Sequence, residues 1–304
     1  MTVPKGLVAL ILLAVALPAV EAEPHCPGNV NSSPLRLIQH SQIVVPVTIN
    51  HTGPYDFLVD TGAQVTTVDP ALAAELHLRT QGTAGVTGVG VYARAPLTLL
   101  ASVGAGSHDV KNVLAVIQNL GQTQLEDHRV RGVLAENFLE HFDLLIDYSH
   151  ELLCLDDSMQ MRARVKGQHM ALSAQPPSQG SAAPQKLIVA VHLSGIEKGQ
   201  LQLQLDSGTN VPLLYDAGRA LGRLQTVSTP LRGQGTDGQQ HAFAVLAGQD
   251  LQVGAHSLHQ VPFVTPVDAG RTPPKADVDG LLPTVLFQRV FVNYSDHYVV
   301  LEPW

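Results

Sequence analysis

Short apolar runs, separated by turn residues, recur along the chain. The segments at 45–50, 55–60 and 201–205 are rich in Val, Leu and Ile, and the last has leucine at every second position. A period of two is typical of half-buried strands. Gly (26) and Pro (20) are plentiful between such runs and indicate turns. Helical patterns are short, the clearest being Pro70 to Leu76 with Asp69 as its cap. We therefore predict an all-β fold with short helices.

The same series of elements occurs twice. In each copy, two strand-like runs lead to Asp-Thr-Gly or Asp-Ser-Gly, and then come a short helical segment, a Gly-rich segment and a Gly-apolar-apolar triplet. The distance from Asp60 to Gly132 is 132 − 60 = 72 residues, and from Asp206 to Gly280 it is 280 − 206 = 74. Such self-similarity predicts two tandem homologous lobes related by a pseudo-twofold axis.

The predicted divisions follow from this repeat and from the composition at the N-terminus and between the copies. A Pro/Gln/Ser/Ala-rich stretch separates the copies and suits an exposed connector. We predict a signal peptide (1–22), an N-terminal lobe (23–157), a linker (158–185) and a C-terminal lobe (186–304).

The N-terminus has the pattern of an export signal. Lys5 precedes an apolar stretch at 7–20, and small residues surround a cleavage site after Ala22. The stretch is shorter than the roughly 20 residues that a membrane span needs. We predict a periplasmic or secreted protein. An uncleaved anchor is the alternative, and contact with a membrane is expected only in that case.

Export bears on the cysteines, Cys26 and Cys154. In an oxidising compartment they can pair and tie the N-terminal arm to the first lobe. The alternative is a pair of free thiols, one of them buried.

Charge and motifs exclude several functions. The net charge is −8, without a basic cluster interleaved with aromatics, so nucleic-acid binding is not expected. The fourteen histidines are scattered, and the closest set, His256 and His259, has no nearby Cys or paired carboxylate. We predict no metal and no cofactor. A Gly-x-Ser-x-Gly elbow is missing, and no Gly-Lys-Ser/Thr follows the Gly-rich segment at 85–90, which argues against a phosphate loop.

The two Asp-Thr/Ser-Gly motifs carry the candidate chemistry. A pseudo-twofold axis would bring Asp60 and Asp206 face to face, and two carboxyls about 3 Å apart share one proton. Such a pair can activate a water for attack on an amide. Thr61 and Ser207 supply hydroxyls next to the acids. The glycines that follow, 62 and 208, let backbone N–H groups reach the carboxylates.

These motifs resemble those of the pepsin and retropepsin superfamily of aspartic peptidases. The resemblance rests on 57–63 and 203–209 and on the triplets at 132–134 and 280–282, and it extends over about 36–157 and 170–302. It implies a bilobal, closed β-barrel fold with a cleft between the lobes, and endopeptidase activity on a polypeptide held there in extended form. It also implies flaps over the cleft, for which the candidate residues are Gly85, Gly88, Gly90, Gly235 and Gly238.

Parts of the pattern differ from the family. Ala135 and Asn137 stand where retropepsin-like units often have Gly and Asp, and Pro283 follows the second triplet. These departures affect the expected flap geometry and not the Asp pair.

Two alternatives use the same fold. A protein of this kind can hold a peptide in the cleft without cutting it, since fold does not prove activity. The lobes of two chains can also pair with each other. We expect a monomer whose own lobes form the pseudo-dimer.

Overall fold

The computed structural model describes residues 25–88, 91–120, 124–125, 128–173, 184–194, 200–217, 230–234, 240–267 and 278–304. The predicted signal peptide lies outside these ranges, as do Gly90, Gly235 and Gly238. Within them the protein is mainly β, with few short helices.

An eight-stranded sheet occupies much of the first half of the chain, in the order β2-β3-β4-β11-β5-β8-β7-β6. A further pairing of β3 with β7 closes this sheet on itself. A two-stranded ribbon, β9 with β10, lies between β8 and β11 in the chain. The strands of the sheet and the ribbon are β2 (Arg36–Ile38), β3 (Gln42–Ile49), β4 (Thr52–Val59), β5 (Thr66–Val68), β6 (Thr80–Gly88), β7 (Val91–Ala105), β8 (His108–Ile117), β9 (Gln124–Leu125), β10 (His128–Arg129) and β11 (Gly132–Leu134).

A nine-stranded sheet comes from the second half, in the order β18-β19-β22-β17-β23-β16-β15-β20-β21. Its strands are β15 (Ile188–Leu193), β16 (Leu201–Asp206), β17 (Leu213–Leu214), β18 (Leu231–Gln234), β19 (Gln240–Val245), β20 (Gln249–Val253), β21 (His256–Val261), β22 (Val264–Pro266) and β23 (Gly280–Pro283).

A third sheet has six strands and draws on both halves of the chain. Its order is β1-β13-β12-β24-β25-β14, so β12 of the first half pairs antiparallel with β24 of the second. Its strands are β1 (Ser32–Pro34), β12 (Asp143–Asp147), β13 (Leu152–Asp156), β14 (Met170–Ala171), β24 (Phe287–Asn293) and β25 (Tyr298–Pro303).

The predicted linker contains β14, which pairs with β25 near the end of the chain. Residues 174–183 of that linker lie outside the described ranges. A continuous apolar core extends through both halves and unites residues of all three sheets, among them Ile43, Leu134, Leu144, Leu203 and Val290.

The helices are short. Within the described ranges they include α1 (Pro70–Glu75), α2 (Glu136–Leu139) and the 3-10 turns Pro27–Asn29 and Thr284–Leu286. The predicted cap of α1 is confirmed, because the Asp69 carboxylate accepts a hydrogen bond of 2.6 Å from the Leu72 N–H. Arg131 donates to the other Asp69 oxygen at 2.8 Å, which fixes the helix to the strand that carries Gly132. Of the corresponding helical segment in the second half, only Asp216 and Ala217 are described.

Strand β16 shows where alternation breaks down. The leucines at 201, 203 and 205 are buried, as a period of two predicts. Gln204 and Asp206, on the other face, are only 4% and 7% exposed. The polar face is buried because it packs against the loop that follows β4 in the other half of the chain.

Cys26 and Cys154 form a disulfide, with a separation of 128 residues in the sequence. It links the N-terminal arm to β13 and lies in a small apolar cluster with Leu145, Met161 and Phe291. Among the described residues, no helix has the length and apolar character needed to cross a membrane.

Candidate active site

Asp60 and Asp206 stand at the ends of equivalent strands. Asp60 directly follows β4 and Asp206 ends β16. Each strand pairs in parallel with a triplet strand, so that Gly132 lies opposite Phe57 and Gly280 opposite Leu203, three residues before each Asp.

Both triplets need glycine as their first residue. A Cβ on Gly132 would lie 2.0 Å from Phe57 Cε1, and one on Gly280 would lie 1.9 Å from the Leu213 carbonyl oxygen. Only a residue without a side chain lets these strands approach so closely. The Gly-apolar-apolar spacing seen in the sequence therefore has a steric cause.

The structure brings the two Asp carboxyls together. A Cβ on Gly62 would lie 2.4 Å from Asp206 Cγ, and one on Gly208 would lie 2.5 Å from Asp60 Cγ. Each carboxyl thus rests on the glycine of the opposite loop. When it carries a proton, the Asp206 carboxyl donates a hydrogen bond to the Asp60 carboxylate.

Backbone N–H groups also hold each carboxyl. Asp60 Oδ1 accepts from the N–H groups of Gly62 at 2.7 Å and Ala63 at 3.1 Å. Asp206 Oδ1 accepts from Gly208 at 2.7 Å and Thr209 at 3.2 Å. Such donors favour the ionised form of a carboxyl.

Burial opposes that preference and raises the pKa of both acids. Burial raises the pKa of Asp60, against the lowering effect of its hydrogen bonds to Gly62, Asp206 and Ala63. The pKa of Asp206 is raised well above its usual range, first by burial and then by the negative charge of Asp60. The two carboxyls therefore titrate as a unit.

The hydroxyls of Thr61 and Ser207, which follow the two acids in the sequence, bond to backbone groups across the two loops. Thr61 Oγ1 donates to the Leu205 carbonyl at 3.0 Å and accepts from the Ser207 N–H at 3.1 Å. Ser207 Oγ donates to the Val59 carbonyl at 2.8 Å and accepts from the Thr61 N–H at 3.1 Å. Each hydroxyl therefore bonds to the backbone of the opposite loop, and the pair locks the two loops together.

We expect Ser207→Ala to lower the free energy of unfolding by about 2–3 kcal/mol, because it leaves the Thr61 N–H and the Val59 carbonyl buried without partners. Denaturant unfolding of the purified variant measures this change. Ser207→Thr, which keeps the hydroxyl, is the control and should lose much less. Equal losses in the two variants would show that the hydroxyl does not hold the loops.

The predicted flap glycines are only partly described. Strands β6 and β7 form a hairpin in which Gly85 pairs with Arg94 and Gly88 with Val91. In the second half, β18 and β19 also pair as a hairpin, with Gln234 opposite Gln240. Gly90, Gly235 and Gly238 lie outside the described residues.

Sequence reasoning missed a buried acid near Asp60. Glu136 begins α2, its side chain is fully buried, and its N–H donates to the Ala63 carbonyl at 3.0 Å. Burial raises its pKa well above the usual range, and the charges of Glu140 and Asp60 raise it further. The Tyr294 hydroxyl is buried near this carboxyl, but the geometry between the two groups does not meet the criteria for a hydrogen bond. The Glu136 position follows the triplet, but nothing in the sequence pattern marks it as buried.

Two tyrosines also face the second acid. Burial raises the pKa of Tyr148 and Tyr215, and the charge of Asp206 raises both further. Tyr148 shares a hydrogen bond of 2.6 Å with Thr284 Oγ1, which orients its hydroxyl. The described residues contain no group of three or more His, Cys, Asp or Glu that could hold a metal ion.

Comparison with known proteins finds a match for part of the first half of the chain. Residues 45–138, which include Asp60 and the first triplet, match the family model described as aspartyl protease. This part of the chain is thus similar to an aspartyl protease domain.

The solved structures that resemble the chain include a retropepsin-like aspartic protease from Rickettsia conorii. The identity is 21%, and the match covers 42% of this chain and 90% of that one with a TM-score of 0.31. No curated protein matches the chain.

Proposed function

We propose that this protein is an aspartic endopeptidase in which Asp60 and Asp206 act as one catalytic pair. The observation that carries the proposal is that each carboxyl lies against the glycine of the opposite loop, which brings the two acids to one place. The aspartyl protease match over residues 45–138 supports the reaction type.

The proposal includes two tandem lobes related by a pseudo-twofold axis. Five strand pairings of the first half have counterparts in the second: β3–β4 with β15–β16, β4–β11 with β16–β23, β11–β5 with β23–β17, β5–β8 with β17–β22, and β3–β7 with β15–β20. The order β1-β13-β12-β24-β25-β14 is also symmetric about its centre. A monomer then contains both acids, and the lobes of a second chain are not needed.

In the proposed mechanism a water is held between the two carboxyls. Ionised Asp60 takes a proton from this water as its oxygen attacks the amide carbon, and protonated Asp206 donates its proton to the carbonyl oxygen. The resulting diol collapses when the proton on Asp60 passes to the leaving nitrogen and the C–N bond breaks. Asp206 recovers a proton from the diol hydroxyl, so the pair returns to its starting state with one proton.

The substrate in this proposal is an extended polypeptide in the cleft between the lobes. The β6–β7 and β18–β19 hairpins supply backbone groups with which an extended chain can pair. We also propose an exported protein, because the disulfide between Cys26 and Cys154 suits an oxidising compartment.

We expect kcat/KM to depend on pH as a bell, because the active pair carries one proton. Protonation of Asp60 at low pH removes the base, and loss of the Asp206 proton at higher pH removes the acid. Since the pKa of Asp206 is raised well above its usual range, the alkaline limb should lie well above the ordinary carboxyl pKa of about 4. Initial rates on one cleaved peptide, measured from acid to neutral pH, test this. A profile that falls away at an ordinary carboxyl pKa would contradict it.

A digest of a peptide library by the wild type, across the same pH range, tests the proposed function directly. Cleavage that stops when either Asp is replaced by Asn supports the endopeptidase. Retained peptide binding without cleavage at any pH would overturn it in favour of a peptide-binding protein on the same fold.

A further inference from the structure

Gln204 is a buried polar side chain that the proposed mechanism does not use. It lies in β16, two residues before Asp206, and is 4% exposed. Its Nε2 reaches across to the opposite loop and donates to the Gly62 carbonyl at 3.1 Å and to the Thr61 carbonyl at 3.4 Å.

These two carbonyls belong to the peptide groups that hold Asp60. The Thr61 carbonyl shares a peptide group with the Gly62 N–H, and the Gly62 carbonyl shares one with the Ala63 N–H. Both N–H groups donate to Asp60 Oδ1, at 2.7 Å and 3.1 Å. The Gln204 amide, the two peptide groups and the carboxylate therefore form a continuous hydrogen-bonded chain, in which each bond polarises the next.

The second loop lacks an equivalent of this arrangement. The position that corresponds to Gln204 in the first half is Leu58, because each lies opposite the middle residue of its triplet, Leu281 or Val133. Leu58 packs in an apolar cluster with Val44 and Val130.

A different glutamine reaches the second loop. Gln42 Nε2 donates to the Gly208 carbonyl at 3.4 Å. This single long bond polarises one of the two peptide groups that hold Asp206, and less strongly than Gln204 acts on the Asp60 loop.

We propose that Gln204 is a positioning residue that polarises the peptide groups around Asp60 and thereby makes Asp60 the ionised member of the catalytic pair. The inference rests on the proposed function, since it assigns the base and the acid within that pair. A donor on a carbonyl strengthens the N–H of the same peptide group, and a stronger N–H stabilises the carboxylate that accepts from it.

Other groups face the pair and act in both the wild type and the variants. Glu136 approaches Asp60 from α2, with Glu140 and Tyr294 next to it, while Tyr148 and Tyr215 face Asp206. The charges of Asp60 and Asp206 raise the pKa of Glu136, Tyr148 and Tyr215, and these effects do not depend on the Gln204 amide.

The variant Gln204→Leu, which installs the residue found at the corresponding position, tests the inference. Without the amide, Asp60 holds its negative charge less well and takes up a proton at higher pH. We expect the acid limb of kcat/KM to move up by about half a pH unit to one pH unit, in line with the loss of a hydrogen-bond contribution of roughly 1 kcal/mol. Gln204→Met, of similar length, should show the same shift.

The matched control is Gln42→Leu, which removes the amide from the other loop and should leave the acid limb in place. An unmoved acid limb in the Gln204 variants, or an equal rise in Gln42→Leu, would overturn the inference. If Gln204 had only a structural role, its variants would be less stable but would keep the wild-type pH profile. That result would also contradict the inference.

Carboxyl carbon NMR of the wild type separates this inference from the proposed function. With Asp60 and Asp206 assigned from their Asn variants, Asp60 should ionise first as pH rises. The opposite order would overturn the role of Gln204 even if peptides are cleaved. Asp60 ionising first in a protein that cleaves no peptide would support that role and refute the endopeptidase.

Discussion

Replacing either Asp60 or Asp206 by Asn should reduce kcat/KM for peptide cleavage by about a thousandfold or more. Asn is close in size to Asp but can neither accept the proton of the attacking water nor donate an acidic proton to the substrate carbonyl. General acid–base groups contribute about 10²–10⁴-fold each, and the loss of one acid also removes the proton that the pair shares. Initial rates at the wild-type pH optimum measure the effect.

The same variants should remain folded. A carboxyl whose folded pKa is raised destabilises the protein as pH rises above the unfolded pKa, because ionisation is easier in the unfolded chain. The pKa of Asp206 is raised in this way, so Asp206→Asn should unfold at the same or higher denaturant concentration near neutral pH and differ little at low pH. Asp157→Asn, at a side chain with 68% exposure, is the control and should keep full activity. Full activity in either single variant of the pair would refute the shared-proton mechanism.

Removal of the disulfide by Cys26→Ser together with Cys154→Ser should lower the free energy of unfolding by about 4–5 kcal/mol. The bond closes a loop across 128 residues, and a constraint of that length lowers the conformational entropy of the unfolded chain. Differential scanning calorimetry should show a fall in Tm of roughly 10 °C.

Chemical reduction of the wild-type disulfide provides a second test of the same effect. Wild type treated with a reductant should approach the double variant in Tm, and the double variant should not respond to it. A double variant as stable as the wild type would mean that the N-terminal arm is held by packing with Leu145 and Phe291 alone.

Much of the strand framework could be predicted from the sequence, because strand alternation and turn residues are local signals. The cap of α1 is one such case, since Asp69 and Pro70 act within a single turn. The structural reason for glycine at the start of each triplet could be predicted from the sequence only in part. Spacing marked Gly132 and Gly280, but their contacts with Phe57 and the Leu213 carbonyl depend on strands distant in the sequence.

The residues around the Asp pair were harder to predict, because their partners lie about 145 positions away in the chain. Thr61 and Ser207 bond to each other's loops at a separation of 146 residues. Gln204 has the polar character of an exposed strand face, and only the packing of the two halves buries it. Glu136 is a charged residue in a short helix, a pattern that usually indicates solvent exposure.

The central pair of the six-stranded sheet bears on how far either half of the chain can exist alone. In β12, one edge pairs with β13 of its own half and the other with β24. A polypeptide ending after the first half would leave that second edge as a row of unpaired N–H and C=O groups, which readily recruit another strand. Two identical fragments could pair these groups with each other along the exposed edges of their β12 strands. In the chain described above, β24 pairs with them, so this edge of β12 is not open to another strand.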